Sequence, residues 1–378
     1  MRAFFRWLRR ARFTYQPLIS VRISRARLEH NFAQFVRLLG DRAVAPVLKS
    51  NAYGHGLIPV AKLFDRLNPP FMVVDSFYEA LVLQNEHIRT PVLVLGYTSA
   101  HNIARQKFSG VSFALIGIEH VREVVARLTV PQAFHLKIDT GMHRQGILVS
   151  QLDETIKLLK RNPNVRITGV CTHLADADGP VPDFTRMQIK VWNRVVERLH
   201  AVFPQLSQVH VANSAGTQFA TEIRANSARV GLGLYGIDPA AARSLDLKPA
   251  LQVVTQITAV RTIQPGEHVG YNTTFTATRP TRVATLPIGY FEGLDRRLSG
   301  NGSVSVHGKP ALIIGRISMN IASIDITDLP EAKAGDPVIV FSQNPSAPNS
   351  IAQAAVRCKT IPYDLLVHIA QHLRRTVV

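Results

Sequence analysis

Ala43-Val44-Ala45-Pro46-Val47-Leu48-Lys49-Ser50-Asn51-Ala52-Tyr53-Gly54-His55-Gly56 is an apolar run that stops on a lysine and gives way to a polar loop holding a tyrosine and two glycines. The run reads as a buried strand. A lysine at the end of such a strand is costly unless it pairs with a carboxylate or works as a free amine nucleophile. An isolated lysine of this kind is more commonly a snorkelling surface residue, so its neighbours have to decide.

Seven more short apolar, β-branched-rich runs follow: Phe71–Ser76, Pro91–Gly96, Ser112–Gly117, Ala133–Asp139, Ile167–His173, Gln208–Asn213 and Arg229–Gly236. Helix-like stretches separate most of them. Phe184–Val202 shows the 3.6-residue spacing through Phe184, Met187, Val191, Trp192, Val195, Val196 and Leu199, and Arg25–Leu39 predicts a helix ahead of the first strand. Near-continuous apolar strands alternating with amphipathic helices imply a parallel sheet covered on both faces, and eight such units imply a (β/α)8 barrel. Polar residues fall at the C-terminal ends of these strands: Lys49, Lys137, Asp139, His173, Asn213 and Ser214. In a barrel that is where catalytic groups sit, which argues for an enzyme.

After about residue 245 the texture changes to short strand-like runs with Gly, Pro and Asn at the turns: Val253–Ile263, Thr281–Ile288, Gly302–Val306, Ala311–Ile317, Ile321–Ile326 and Asp336–Phe341. The expected organisation is a basic leader over 1–17, the barrel over 18–245 and a β-rich C-terminal domain over 246–378. Hydrophobic residues make up 46% of the 378 and charged residues 19%, enough for a sizeable core. No apolar run approaches the roughly 20 residues that span a bilayer. Cys171 and Cys358 lie in apolar segments far apart, which predicts free buried thiols in a reducing, cytoplasmic compartment.

The net charge is +18, and residues 1–27 contribute eight arginines and no acid. Met1–Phe13 could form a short basic amphipathic helix able to attract anionic lipid or nucleic acid weakly. A disordered basic leader is the simpler reading. No nucleic-acid-binding motif accompanies the charge, and the segment lacks the apolar stretch of a secretory signal.

Three segments could seat a phosphate: Ser50–Gly56, His210–Thr217 and Arg229–Gly236. The loops after the seventh and eighth barrel strands are the usual seat. Gly231, Gly233 and Gly236 formally fit a dinucleotide fingerprint, but no βαβ unit surrounds them. His173 with Asp176 and Asp178 invites a metal reading. With no second histidine at ligand spacing, no metal is expected.

The Lys49 stretch resembles the pyridoxal phosphate lysine motif of the alanine racemase family. The resemblance continues in order through Lys137, Asp139-Thr140-Gly141-Met142-His143-Arg144-Gln145-Gly146, His173, Arg229 and His268-Val269-Gly270-Tyr271-Asn272-Thr273-Thr274. It then runs on through Pro287–Tyr290, Gly315–Asn320 and Thr360-Ile361-Pro362-Tyr363, nearly the whole chain. It implies an enzyme interconverting L- and D-alanine for peptidoglycan, with pyridoxal 5'-phosphate held by Lys49. Lys49 would serve the D-side proton and Tyr271, from the second chain of a homodimer, the L-side proton. Tyr53, Ser214, Gly231, Leu232 and Tyr363 would hold the phosphate. Arg144 would bond the phenolic oxygen of the cofactor, oriented by a carbamate on Lys137. The plain alternative for Lys137 is an ion pair with Asp139 or a neighbour. His173, linked to Arg229, would pack against the pyridine ring, Arg229 would face its nitrogen, and Met319 with Arg144 would seat the substrate, while Tyr290 and Tyr363 narrow the entrance.

The sequence departs from the family at Asn320, commonly aspartate, at His143, commonly small or an amide, and at Phe291-Glu292-Gly293, commonly alanine-aspartate-glycine. These departures bear on substrate range. A broad-specificity racemase is the nearest alternative, and a single-barrel pyridoxal phosphate homeostasis protein a more distant one.

Overall fold

The computed structural model describes residues 16–240 and 245–378. The expectations for the leader at 1–15 lie outside the described residues. The chain divides into two compact units, one spanning Ser24–Ala250 and the other Leu251–Thr376 together with the described residues up to Ile23.

The first unit is the expected barrel. Its eight strands are Ala43–Pro46, Met72–Val74, Val92–Val94, Val111–Leu115, Gln132–Asp139, Val165–Cys171, Gln208–His210 and Ser227–Val230. Each pairs in parallel with its neighbour, and the eighth pairs with the first in the register Ala45 opposite Arg229. A parallel bridge between Val47 and Val73 closes the ring. The short strand Ile147–Leu148 adds to the outer end of the fifth.

Two strands end earlier than their apolar runs suggest. The first stops at Pro46, so Lys49 lies beyond it, in a separate turn. The eighth stops at Val230, and Leu232–Tyr235 form a 3-10 turn. Both runs stay apolar because the turns are buried too.

The helix Arg25–Leu39 has the predicted bounds. It buries Leu28, Asn31, Phe35 and Leu39 on one face and stops at Gly40, whose φ of 60° suits a residue without Cβ. Asn31 works as a clamp: its Nδ2 donates to the carbonyls of Leu234 (3.0 Å) and Lys248 (2.9 Å), and its Oδ1 accepts from the Lys248 N–H. The helix Asp183–Val202 buries Thr185, Gln188, Ile189, Trp192, Val195, Val196 and Leu199. Phe184 and Met187, read above as part of its apolar face, are exposed at its edge, where they flank Gly141.

The second unit is an antiparallel sheet built on Leu251–Gln256, Ala259–Ile263, Thr281–Leu286, Ser303–Val306, Lys309–Ile314, Ala322–Asp325 and Pro337–Phe341. The run Val253–Ile263 is two strands rather than one. At Ile257 the backbone leaves the sheet to exchange hydrogen bonds with Gly335 and Asp336. Ser20–Ile23, assigned above to the barrel, pairs antiparallel with Leu251–Val254 of this sheet, from Ser20 opposite Val254 to Ile23 opposite Leu251. Its alternating burial suits an antiparallel sheet rather than a parallel barrel. Two short helices, Ile351–Arg357 and Pro362–Val367, complete the unit.

Candidate active site

Lys49 leaves the barrel where the ring closes. Val47 N–H donates to Val230 O and Leu48 N–H to Val73 O, which pins the backbone on both sides just before the lysine. Ser50, Asn51, Ala52 and Tyr53 then all take positive φ, between 51° and 56°, one turn of left-handed helix. Such a turn costs an L-residue roughly 1–2 kcal/mol, so it needs outside support. Glu79 Oε1 accepts from the Ser50 N–H, Asn51 Oδ1 accepts from the Leu57 N–H, and Gly54 and Gly56 donate back to the carbonyls of Ser50 and Asn51. The turn buries Tyr53, whose ring lies 5.1 Å from that of Tyr235.

The loop after the eighth strand completes a cradle. Ser214 Oγ accepts from the N–H groups of Gly231 (3.1 Å) and Gly233 (3.2 Å). A Cβ on Gly231 would lie 2.4 Å from the Tyr53 hydroxyl, so only glycine admits that ring. The structure thus brings together Tyr53, Ser214, Gly231 and Leu232, drawn from three distant segments.

Arg229 is fully buried, yet its guanidinium meets only neutral acceptors. One terminal nitrogen donates to His210 Nδ1 (2.7 Å) and His210 O; the other donates to Thr172 O, Val211 O and His173 Nδ1 (3.1 Å). Its Nε has no partner among the described residues. The sequence reading missed what lies behind it: His210 also shares a 2.7 Å hydrogen bond with buried His135. Because a guanidinium only donates, His210 Nδ1 is bare. A neutral His210 then donates from Nε2 to His135 Nδ1, leaving the proton of His135 on its Nε2. Gly169 makes room for this ring, since a Cβ there would lie 2.5 Å from His135 Nδ1.

Burial, reinforced by Arg229, holds His135 down at about 3 and His210 well below the ordinary 6.5. His173 is also lowered to about 3, first by burial and then by the charges of Arg229, Arg144, Lys137 and Lys49. Of these groups, Arg229 touches the imidazole directly. The unfolded chain protonates these rings near 6.5, whereas the folded chain does so only far lower. Their contribution to stability is thus complete above pH 6.5 and is lost as pH falls toward 3. Between pH 7 and 5, urea unfolding should show stability declining by up to about 1.4 kcal/mol per pH unit for each ring. A flat profile over that range would mean the rings are protonated in the fold.

Lys137 is buried, and its Nζ donates to Gln145 Oε1 at 3.1 Å. It forms no ion pair among the described residues. Asp139, the alternative partner, instead accepts from the N–H groups of Gly141 and His143 and so shapes the loop. Burial lowers the Lys137 ammonium below its usual range, with Arg229 and Arg144 acting in the same direction. Gly146 closes the loop at φ 142°, where a Cβ would lie 2.6 Å from Asp139 N. Arg144 is exposed on this loop. Gln188, also missed, ties the loop to the neighbouring one by donating to Thr140 Oγ1 and His173 O and accepting from Ala175 N–H.

In the second unit, Tyr271 sits in a 3-10 turn between His268–Val269 and Phe275–Thr276 and is 68% exposed. Tyr363 is at the start of Pro362–Val367, a helix anchored by Asp364, which accepts from Arg297 and Thr360. Tyr290, Phe291 and Met319 are exposed together, because Tyr290 N–H and Phe291 N–H donate to Ser318 O and Met319 O. Asn320 Nδ2 donates to Glu292 Oε1 at 2.6 Å, and Glu292 Oε2 accepts from the Gly289 N–H. The two departures at Asn320 and Glu292 are thus one pair, and a carboxylate persists beside position 320. Asn320→Asp would set two carboxylates against each other and should lower stability by about 1–3 kcal/mol. A thermal scan would check this, with recovery expected on adding Glu292→Gln.

Residues 23–239 match the alanine racemase N-terminal domain and residues 250–377 the alanine racemase C-terminal domain. The chain is 32% identical to alanine racemase 2 of Caldanaerobacter subterraneus, over 92% of each chain. It is 33% identical to the alanine racemase of Sorangium cellulosum, over 93% of this chain and 97% of that one. The solved alanine racemase of Clostridium difficile superposes with a TM-score of 0.89 at 27% identity, over 97% of both chains.

Proposed function

The chain belongs to the alanine racemase family, and from that premise we propose that it interconverts L- and D-alanine using pyridoxal phosphate. The observation that carries the cofactor assignment is Arg229, a buried guanidinium held by five neutral acceptors with Nε left over. That Nε suits a ring nitrogen acceptor. When bound, pyridoxal phosphate supplies an electron sink that acidifies the Cα–H bond of a joined amino acid.

The chain's own residues do the rest. Lys49 Nζ anchors the cofactor and moves the α-proton on the D side. The Tyr271 hydroxyl moves it on the L side, because one base cannot easily serve both faces of a planar carbon. Tyr53, Ser214, Gly231, Leu232 and Tyr363 hold the phosphate. Arg229 does not surrender its proton, so it keeps the sink weak, which favours prompt return of the proton over side reactions. Arg144 and Met319 orient the substrate, with Arg144 oriented in turn by Lys137. Burial favours the free amine of Lys137, the form that takes up carbon dioxide as a carbamate.

We assign Tyr271 to the site of a second copy of the chain. Its exposure, with that of Tyr290, Phe291, Met319 and Ile321, leaves the second unit with an apolar, aromatic surface of the kind that partners cover. A cytoplasmic homodimer supplying D-alanine to peptidoglycan is the biological setting that follows. Cys171 and Cys358 are free and buried, and no helix among the described residues is long and apolar enough to cross a membrane.

A racemisation panel tests this reading. Alanine should turn over fastest, serine more slowly, lysine and arginine least, since the mouth is set in a strongly cationic chain that draws carboxylates and repels cationic side chains. Activity should depend on pyridoxal phosphate. Faster turnover of lysine or arginine would replace the alanine assignment with the broad-specificity one.

A further inference from the structure

At the N-terminal ends of the barrel strands, away from Lys49, lies a cavity of about 600 Å³. The residues that open the fifth, sixth and seventh strands line it, among them Ala133, Arg166 and Gln208, and it lies within the size range of small-molecule sites. Phe71, Val111 and Val130 supply apolar wall. Two cations, Lys107 and Arg166, reach it, and its lining holds no carboxylate. Neither cation has an ion-pair partner among the described residues. His135 also lines it while only 4% exposed. Its Nδ1 is committed to His210, and its Nε2, where the tautomer argument places the proton, has no partner among the described residues.

We propose that this cavity binds a small organic anion, a carboxylate on a compact apolar body, received by Lys107, Arg166 and the His135 N–H. The apolar wall takes the body and the two cations favour the negative end. An acceptor on His135 Nε2 would also make Nδ1 a better acceptor, which strengthens the chain through His210 to Arg229. The barrel core is then more than filling: a hydrogen-bonded line of three side chains runs from the lower cavity to the guanidinium above.

Benzoate is the probe, with benzyl alcohol as its neutral counterpart, titrated calorimetrically into the full chain loaded with pyridoxal phosphate. Racemic alanine at saturating concentration keeps benzoate from the Lys49 side. Benzoate should bind once per chain at millimolar strength or tighter, and benzyl alcohol at least about tenfold more weakly. The Lys107→Gln/Arg166→Gln variant should lose at least about tenfold, with an unchanged thermal midpoint, as both side chains are exposed. The ring nitrogen resonances of His135 should shift on addition of benzoate and not of benzyl alcohol. Absence of saturable binding, equal binding by the variant, or equal binding of benzyl alcohol would each overturn the proposal. The dependence on Lys107 and Arg166 is read without any turnover, so its failure is separable from failure of the racemase assignment.

Discussion

Lys49→Ala should yield a folded protein that neither racemises alanine nor retains pyridoxal phosphate through gel filtration. The expected loss of rate is on the order of 10⁴-fold, the upper end for a general base, since the same amine also anchors the cofactor. The fold should survive. The backbone at this point is fixed by Val47, Leu48, Glu79 and the glycines of the turn, none of which depends on the lysine side chain. Circular dichroism and the thermal midpoint check that arm. Borohydride treatment of the wild type should fix the cofactor covalently to Lys49, as read by peptide mass mapping. Lys137 is the internal control, being the other lysine in the field around His173. A label on Lys137, or cofactor retained by Lys49→Ala, would remove Lys49 from its assigned role.

Tyr271→Phe should lower racemisation by about a hundredfold or more while leaving cofactor uptake unchanged. The enantiomers have equal free energy, so the equilibrium constant is one and kcat/KM must fall equally in both directions. With Lys49 intact, one face of the substrate keeps its base. In deuterated water the variant should therefore exchange the α-proton of D-alanine faster than it inverts it, whereas the wild type couples the two more closely. Unaltered racemisation would take Tyr271 out of the reaction. Retained racemisation by a strictly monomeric form would instead remove the second copy from the scheme.

Much of this was legible in the chain because it is locally encoded. Apolar runs and helical spacing announce a parallel barrel within a few residues of the true strand ends, and the helix Arg25–Leu39 was readable to the residue. Where runs and strands disagree, at Lys49 and at Leu232–Tyr235, hydrophobicity reports burial and not extension, and a buried turn looks like a strand. Ser20–Ile23 was misplaced because pairing with Leu251–Val254 is a choice of partner, about which a four-residue strand says nothing.

The candidate site divides the same way. Lys49, Arg144, Tyr271 and the phosphate loops sit in turns whose glycines and polar residues are visible locally. His135 could have been noticed, since it shares strand parity with Lys137 and Asp139 and is buried with them. Its role could not. The hydrogen bond to His210 spans 75 residues and that from His210 to Arg229 spans 19. The sequence by itself determined which elements form and which chemistry-bearing residues stand at their ends, because turn geometry and burial periodicity act over a few residues. Only the tertiary structure decided that Arg229 would meet His210 as well as His173, that Asn320 would hold Glu292, and that His135 would face a second cavity. Those are contacts between distant segments, and their energies exist only once closure of the barrel or pairing within the sheet has brought the partners within hydrogen-bond reach and excluded water from between them.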